Sequence, residues 1–234
     1  VRGKRNPIWC QTTGASAGNL TSAVYRIFGK PFSEEGKKLF GVPFAQFLKL
    51  NSEFRYHYRI DKNQMIASRI AGGVIWSYGN ATTAPYTEQF YIGGANSVRA
   101  FSARSIGPGG YPPETDRKYT YINHVGDIRI EANIEYRFRM IADLHGAVFL
   151  DAGNVWLMRK DENRPNGEFT LKNFPKQIAL GTGFGLRYDL DFLVFRLDLG
   201  IGLHDPYDTG KSGYSNIPKF KDRMALHFAI GYTF

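Results

Sequence analysis

The chain has 234 residues, with 30 Lys and Arg against 21 Asp and Glu, which gives a formal net charge of +9. Its mean hydropathy is −0.33. The single cysteine excludes a disulfide framework within the chain and any multi-cysteine metal site. No apolar run reaches the roughly 18 residues that a transmembrane helix needs. The hydrophobic content of 43% is too high for a disordered basic tail. These totals alone describe a basic globular domain.

Apolar and polar residues alternate with a period of two along most of the chain, a pattern that predicts β-strands. No segment gives a convincing helix. The first strand is weak and rich in Gly, Ser and Thr, whereas the last places large apolar residues from Met224 to Phe234 on one face. The expected strands lie at about 6–22, 48–60, 64–78, 128–138, 143–157, 178–189, 193–204 and 224–234.

The two faces of these strands differ in character. Along 193–204, for example, one face is built of Leu, Phe and Ile, and the other carries Arg196, Asp198 and two glycines. A soluble sandwich fills its inward face with large side chains, whereas here the polar face mixes charges with glycine. Apolar residues that face lipid and polar residues that line a lumen are typical of a transmembrane β-barrel.

The connections between strands alternate in length. Those at 23–44, 79–125, 158–177 and 205–222 are long, and those between them have only three or four residues. Transmembrane barrels have short periplasmic turns and long outer loops. The sequence therefore predicts an all-β, antiparallel transmembrane barrel of about eight strands, in the outer membrane of a Gram-negative bacterium, with a periplasmic C-terminus.

Two motifs carry a family resemblance. The long loop contains Gly93-Gly94-Ala95-Asn96-Ser97-Val98-Arg99-Ala100-Phe101, and a later strand contains Phe149-Leu150-Asp151-Ala152-Gly153. Their order and spacing resemble the BamA/TamA outer-membrane superfamily, the bacterial surface antigen family. That family usually has Gly where this chain has Ala100. The Gly-rich strand at 181–187 and the aromatic C-terminal strand are similar to the family's last strands. Among its branches, 93–97 and 126–133 favour the TamA-like branch of Bacteroidota.

The resemblance implies a sixteen-stranded barrel that follows periplasmic POTRA domains and inserts or exports other proteins. No POTRA pattern occurs here, so we expect residues 1–234 to be a single barrel segment, the C-terminal half, with the loop at about 79–125 plugging the lumen. The chain starts without Met or a signal segment and stops at Phe234 within an alternating run. We therefore expect a fragment whose C-terminal end is structural.

Arg99 is the main candidate residue. A partly desolvated guanidinium needs a carboxylate partner, and the resemblance pairs the loop arginine with Asp151, while Glu131 or Glu135 could share it. This ion pair would hold the loop inside the lumen, either to keep the barrel competent for insertion or only to stabilise it. In the same motif, Gly93 and Gly94 would permit a tight backbone, and Phe101 would anchor the loop. The remaining motif residues are Ser97, Val98, Phe149 and Gly153.

The last strand has two interpretations. In the family, its junction with the first strand is weakly paired and opens sideways to an incoming strand. Its aromatic alternation is also the general signal by which assembly machinery recognises barrel proteins. Gly231 could weaken the strand. The residues concerned are Phe228, Ile230, Gly231, Tyr232 and Phe234.

The predicted function is therefore non-enzymatic insertion or translocation of outer-membrane proteins. Expected partners are outer-membrane lipid and lipopolysaccharide, unfolded outer-membrane protein clients, and a periplasmic or inner-membrane partner reached through upstream domains. The spacing of the histidines suggests no metal site, no Gly-x-Ser-x-Gly nucleophile motif is present, no cofactor is implied, and the cations form no dense patch for nucleic acid. Two alternatives stay open, the barrel anchor of a patatin-like lipase fusion and a small passive eight-stranded pore or anchor.

Overall fold

Ten β-strands dominate the regular structure of the computed structural model, which describes residues 6–32, 35–113, 123–211, 213–217 and 220–234. Eight of them form one antiparallel sheet, and two short ones form a separate hairpin. The strands are β1 (Ile8–Ala17), β2 (Lys38–Leu39), β3 (Val42–Pro43), β4 (Phe47–Arg59), β5 (Gln64–Ser77), β6 (Ile128–Ile141), β7 (Leu144–Trp156), β8 (Ala179–Asp189), β9 (Val194–His204) and β10 (Met224–Ile230).

Each strand of the large sheet pairs with its neighbours along the chain, in the order β1-β4-β5-β6-β7-β8-β9-β10. Within the described residues, β1 and β10 each pair with one strand only, so the sheet has two free edges. The long connections all lie at one end of the sheet and the short ones at the other, as the sequence predicts. The predicted all-β antiparallel fold with eight strands is confirmed.

The outward face of the sheet is apolar and exposed along almost its whole width. Cross-strand register places these residues side by side, for example Leu48 opposite Trp76 and Leu226 opposite Leu199. Such a continuous apolar surface is far larger than the patches that water-soluble monomers expose. Its members include Leu48, Leu50, Phe54, Ile70, Trp76, Ile134, Val148, Leu150, Phe184, Leu197, Leu199, Leu226, Phe228 and Ile230.

The expectation that the chain has no helix is wrong. Helix α1 spans Asn19–Ile27, and single 3-10 turns occur at Phe174–Gln177 and Phe220–Arg223. Gly18, with φ of +73°, turns the chain out of β1, and a Cβ there would lie 2.3 Å from the Ala45 oxygen. Only glycine fits this corner. In the part of the chain that the structure describes, no helix is long and apolar enough to cross a membrane.

The last strand is shorter than the alternation indicates. β10 ends at Ile230, and Gly231 follows with φ of +87°. Tyr232 stays 41% exposed, but Phe234 is only 6% exposed. The prediction that Phe234 continues the outward apolar face is therefore wrong, because the left-handed turn at Gly231 directs the chain to the inner side of the sheet.

The apolar core lies between the inner face of the sheet and the long loop that connects β5 to β6. Residues 114–122 of this loop lie outside the described residues. The loop contributes Ile92, Val98, Phe101 and Ile106, which pack on strand residues such as Val155. The loop therefore covers the inner face of the central strands, and the expectation that it plugs the lumen of a complete barrel stays a prediction.

Candidate functional site

The loop motif 93–101 folds into a compact turn held by its own backbone. Gly93 and Gly94 have φ of +99° and +94°, and a Cβ on Gly93 would lie 2.2 Å from the Ser102 oxygen. Gly94 N–H donates to the Phe101 oxygen at 2.8 Å, and Gly93 N–H donates to Ser97 Oγ at 3.2 Å. The two glycines are therefore required by backbone geometry, and Ser97 stabilises the turn that they make.

Two apolar side chains anchor the turn on the sheet. Val98 is completely buried and Phe101 is 6% exposed, and both belong to the apolar core. They lie on either side of Arg99 and Ala100, so the backbone of the motif is pressed against the inner face. Arg99 is thereby placed against the strands without any access to solvent.

Asp151 holds Arg99 at three points. Arg99 Nε donates to Asp151 Oδ2 at 2.8 Å, and Nη2 donates to Oδ1 at 2.9 Å. The backbone N–H of Arg99 also donates to Oδ2, at 3.1 Å. Both residues are fully buried. A bidentate, charge-assisted pair of this kind is among the strongest polar contacts in proteins.

Glu135 is the second partner, and it accepts a short hydrogen bond from Arg99 Nη1. Arg187 Nη2 lies 3.2 Å from the same carboxylate, and Arg187 Nη1 lies 2.5 Å from Asp198. Three carboxylates and three guanidiniums thus share one fully or almost fully buried site. We call them the Arg99 cluster: Arg99, Glu135, Asp151, Arg187, Arg196 and Asp198.

An aromatic ring completes the surroundings of Arg99. The guanidinium carbon lies 3.5 Å from the centroid of the Phe149 ring, a cation–π contact, and Phe149 is 2% exposed. Gly153, on the same strand, is a close-approach position, since a Cβ there would lie 2.8 Å from the Ile130 oxygen. Phe149, Asp151 and Gly153 all belong to the inner face of β7, where the alternation places them.

Glu131 does not share Arg99. It pairs instead with Arg69 at 2.9 Å, on the β5 side of the loop. Asn133 lies between the two sites, because its amide donates to Asp151 Oδ1 at 2.9 Å and to the Ser97 oxygen at 3.1 Å. Of the two candidate acids that sequence reasoning left open, the structure brings Glu135 to Arg99.

Two mid-strand glycines make room for the motif. A Cβ on Gly200 would lie 2.2 Å from the Arg99 oxygen, and a Cβ on Gly181 would lie 2.3 Å from Ala100 Cβ. The sequence shows that these strands are rich in glycine but does not indicate what the glycines accommodate. They receive the loop backbone, and Gly181 faces the extra methyl of Ala100.

Three residues near the C-terminus also contact this site, which the sequence did not reveal. His227 Nε2 donates to the Arg99 oxygen at 2.9 Å. Thr233 Oγ1 accepts hydrogen bonds from Arg196 and, at 3.5 Å, from Arg99. Arg137, whose Nε lies 2.7 Å from Glu135 Oε1, donates to the backbone oxygen of Phe234 at 3.3 Å. Phe228, Ile230 and Tyr232 remain on the exposed side. The site therefore joins the loop to β10 and to the segment 231–234.

Within the described ranges, no group of three or more His, Cys, Asp and Glu side chains is placed to hold a metal ion. The acids of the Arg99 cluster are all occupied by guanidiniums. The arrangement is that of a site that holds a loop, an edge strand and a sheet together through buried charge.

The comparisons with known proteins agree with this architecture. The Omp85 superfamily domain matches residues 38–234. The chain is 27% identical over 204 residues to the outer membrane protein assembly factor BamA of Nitratidesulfovibrio vulgaris, covering 85% of this chain and 22% of that protein. It is 29% identical over 89 residues to BamA of Neisseria meningitidis serogroup B, covering 36% of this chain and 11% of that protein.

A solved structure shares the fold. The crystal structure of BamA from Haemophilus ducreyi lacking POTRA domains 1–3 superimposes with a TM-score of 0.54 at 17% identity, over 79% of this chain and 35% of that one. The chain thus spans about a fifth of the length of the first curated relative. Because the matched domain covers well over half of the chain, and because the motifs around Arg99 and Asp151 lie within it, the protein belongs to the Omp85 superfamily, the BamA/TamA superfamily that its motifs resemble.

Proposed function

We propose that this chain is the C-terminal half of a sixteen-stranded barrel in the outer membrane of a Gram-negative bacterium, and that the barrel inserts or translocates outer-membrane proteins without enzymatic chemistry. The observation that carries the proposal is β10, a short edge strand with an exposed apolar face whose end is tied to the buried Arg99 cluster. The TamA-like branch of Bacteroidota stays a prediction, since both curated relatives named above are BamA proteins.

The distribution of burial supports a missing half. The inner faces of β6 and β7 are buried under the loop, whereas β1 is exposed or half-exposed on both faces. Among the described residues, β1 also pairs with β4 only, so its other edge is open. A closed barrel leaves no strand edge unpaired. Further strands beside β1, and POTRA domains before them, would complete the protein. Residues 1–234 form one barrel segment in this proposal.

The proposed mechanism of insertion begins at the free edge of β10. β10 has seven residues, against thirteen or fourteen in β4, β5, β6 and β7, and Gly231 ends it. A short strand makes few ladder hydrogen bonds, so its pairing with a first strand on the other side would separate easily. The freed N–H and C=O groups would then accept a strand of a client protein by β-augmentation.

The Arg99 cluster would keep the loop in place while β10 moves. The Arg99–Asp151 pair lies entirely between the loop and β7, so it survives any movement of β10. The contacts of His227 and Thr233 join β10 and its end to the same loop. Opening of the edge would break those few weak contacts and leave the strong pair intact. The loop would therefore stay folded while the edge opens.

The same proposal fixes the orientation and the partners. The short turns and the C-terminal segment would face the periplasm, and the long connections would face outward. Exposed cations on the long connections, such as Lys38, Arg159 and Lys160, would meet the phosphates of lipopolysaccharide. Unfolded outer-membrane proteins would be the clients, and periplasmic or inner-membrane partners would bind through upstream domains.

A photo-crosslinking experiment tests the edge. A photoreactive phenylalanine analogue replaces Phe228 on β10 of the full-length protein, and Val148 on β7 in a matched control, since both side chains are exposed on the outward face. Cells that assemble a tagged outer-membrane protein are irradiated. We expect client adducts at position 228, several-fold above position 148. Equal labelling at the two positions, or adducts at neither while clients are still assembled, would reject the edge as the site of insertion.

A further inference from the structure

Helix α1 packs on the protein through its polar side. Ser22 is completely buried, and Asn19 Oδ1 accepts a hydrogen bond from Tyr78 at 2.6 Å. The Tyr25 ring stacks on Phe44 with centroids 6.4 Å apart, and its hydroxyl donates to the Lys38 oxygen. At 100° per residue, Asn19, Ser22 and Tyr25 share one side of the helix. The helix is thus attached by hydrogen bonds and one aromatic contact.

The apolar stripe of α1 points the opposite way. Leu20, Val24 and Ile27 follow the spacing i, i+4, i+7 and are 82%, 45% and 82% exposed. Phe28, directly after the helix, is 79% exposed. A surface helix of a globular protein buries such a stripe and exposes its polar side. In α1 the order is inverted, and no residue in the described ranges covers the stripe.

The charged residues of this segment are cations, and they lie on the polar side of the helix, away from the stripe. Arg26 lies in the last turn of the helix and Lys30 follows it, while residues 19–32 contain no Asp or Glu. Lys30 Nζ lies 5.9 Å from the centroid of the Tyr25 ring. An apolar stripe combined with basic residues is the pattern of a helix that lies in the interface of an anionic membrane.

The position of α1 in the fold suits such an interface. The helix begins two residues after the end of β1, at the end of the sheet that carries the long connections. At that same end, the outward pair Leu48 and Trp76 are 52% and 63% exposed. Tryptophan is enriched where a barrel surface meets the headgroup region. The apolar stripe therefore lies near the level at which the apolar outer face of the sheet ends.

We propose that α1 is a membrane-interface helix, in which Leu20, Val24 and Ile27 enter the acyl region of the outer leaflet while Arg26 and Lys30 contact lipid phosphates. This inference rests on the proposed placement of the sheet in the outer membrane. The leaflet supplies both partners that the helix needs, acyl chains and phosphates. A protein neighbour would have to offer an apolar groove rimmed by carboxylates. The contact would fix the long connection between β1 and β4 at the level of the headgroups.

A depth measurement tests the proposal. Single cysteines that carry an environment-sensitive fluorophore replace Ile27, Leu50 or Leu171 in the full-length protein, with Cys10 and other cysteines replaced by Ser. Leu50 lies on the outward face of β4, and Leu171, 84% exposed, lies in the long connection between β7 and β8. The protein is reconstituted into vesicles of phosphatidylglycerol and lipopolysaccharide that contain lipids with a nitroxide at acyl carbon 5 or 12.

We expect the label at position 27 to be quenched more by the nitroxide at carbon 5 than by that at carbon 12, as for a shallow site. The label at position 50 should be quenched strongly by lipid, and the label at position 171 only by aqueous iodide. The proposal fails if iodide, and not the lipid nitroxides, quenches the label at position 27. It also fails if neither quencher reaches this label because protein covers it. Loss of lipid quenching at position 50 would instead overturn the membrane placement itself.

A charge test addresses the phosphates. In the labelled Ile27 protein, the combined changes Arg26→Gln and Lys30→Gln are expected to reduce quenching at position 27 in anionic vesicles, and to leave it unchanged in phosphatidylcholine vesicles. Lys172→Gln, an exposed cation beside Leu171, is the matched control and should change neither. Equal quenching with and without the two cations in anionic vesicles would remove the phosphate contacts from the proposal.

Discussion

The carboxylate of Asp151 fixes both the side chain and the backbone of Arg99, two residues that are 52 positions apart in the chain. Its Oδ2 accepts from Nε at 2.8 Å and from the backbone N–H at 3.1 Å, and its Oδ1 accepts from Nη2 at 2.9 Å. One side chain on β7 therefore determines where the loop motif lies. A substitution at either residue acts on the loop and on the charge balance of the Arg99 cluster together.

Removal of Arg99 should destabilise the barrel strongly. Arg99→Ala leaves Asp151 and Glu135 buried beside fewer cations, and the loss of one partner of a buried ion pair costs roughly 3–5 kcal/mol. We expect a correspondingly lower urea midpoint for the full-length protein in detergent, and faster protease cleavage in the loop. Arg104→Ala is the matched control, since Arg104 lies in the same loop but contacts the rings of Tyr86 and Tyr91 outside the cluster.

The comparison of Arg99→Ala with Asp151→Asn separates stability from function. Asp151→Asn keeps the shape and one acceptor, so the loop should loosen less than in Arg99→Ala. Should both variants keep wild-type stability, loop protection and client assembly, neither the stabilising nor the functional interpretation of the pair would stand. A variant that assembles clients normally but unfolds earlier would assign the pair a structural role alone.

The sequence predicts which residues face the site, but it does not predict which of them pair with one another. Alternation fixes which residues of β7 face inward, and so places Asp151 correctly. Arg187, Arg196 and Asp198 occupy inward positions of β8 and β9 by the same rule, yet alternation does not say which of several inward charges meet. Only the register and the path of the loop decide that Glu135 reaches Arg99 and that Glu131 reaches Arg69.

The two wrong predictions have local causes. Leu20, Val24 and Ile27 carry the helical period, but α1 has only nine residues, and Thr21 and Ser22 are weak helix formers, so the sequence pattern does not stand out. At the other end of the chain, strict alternation continues through Phe234, while a positive φ at Gly231 ends the strand. Sequence periodicity describes the order of apolar and polar side chains. It does not reveal the backbone dihedral angle of a single glycine, which here ends the strand.

Enlargement of the glycine that receives the loop should displace the motif. A Cβ on Gly200 would lie 2.2 Å from the Arg99 oxygen and 2.7 Å from Ala100 Cα, both of which belong to the backbone and cannot rotate away. Overpacking of this kind costs about 1–3 kcal/mol. We expect Gly200→Ala to lower the urea midpoint and to increase hydrogen exchange at residues 97–101. Gly72→Ala, whose new methyl would approach nothing closer than 3.8 Å, should leave the loop unchanged.

Replacement of Gly231 should strain the backbone and loosen the segment 231–234. No atom lies within 4 Å of a Cβ at this position, so the effect of a substitution is confined to the backbone, where φ is +87°. A residue with a Cβ pays roughly 1–2 kcal/mol in the left-handed region, and Asn tolerates it better than Ala. We expect Gly231→Ala to increase hydrogen exchange at 231–234 and Gly231→Asn to do so less. Equal exchange in both variants and the wild type would show that the turn is not fixed by glycine.

Tyr207, in the long connection between β9 and β10, should keep its proton to unusually high pH. Burial, and then the negative charge of Asp205, raise its pKa from 10.0 to about 12, although Arg223 opposes them. In the unfolded chain the phenol ionises near pH 10, so the stability that Tyr207 contributes is complete below that value and is lost as the pH rises through about 12. The difference in absorbance at 295 nm between wild type and Tyr207→Phe isolates this phenol. We expect its midpoint near pH 12 in the folded protein, and a midpoint near 10 would mean that the connection does not enclose the ring.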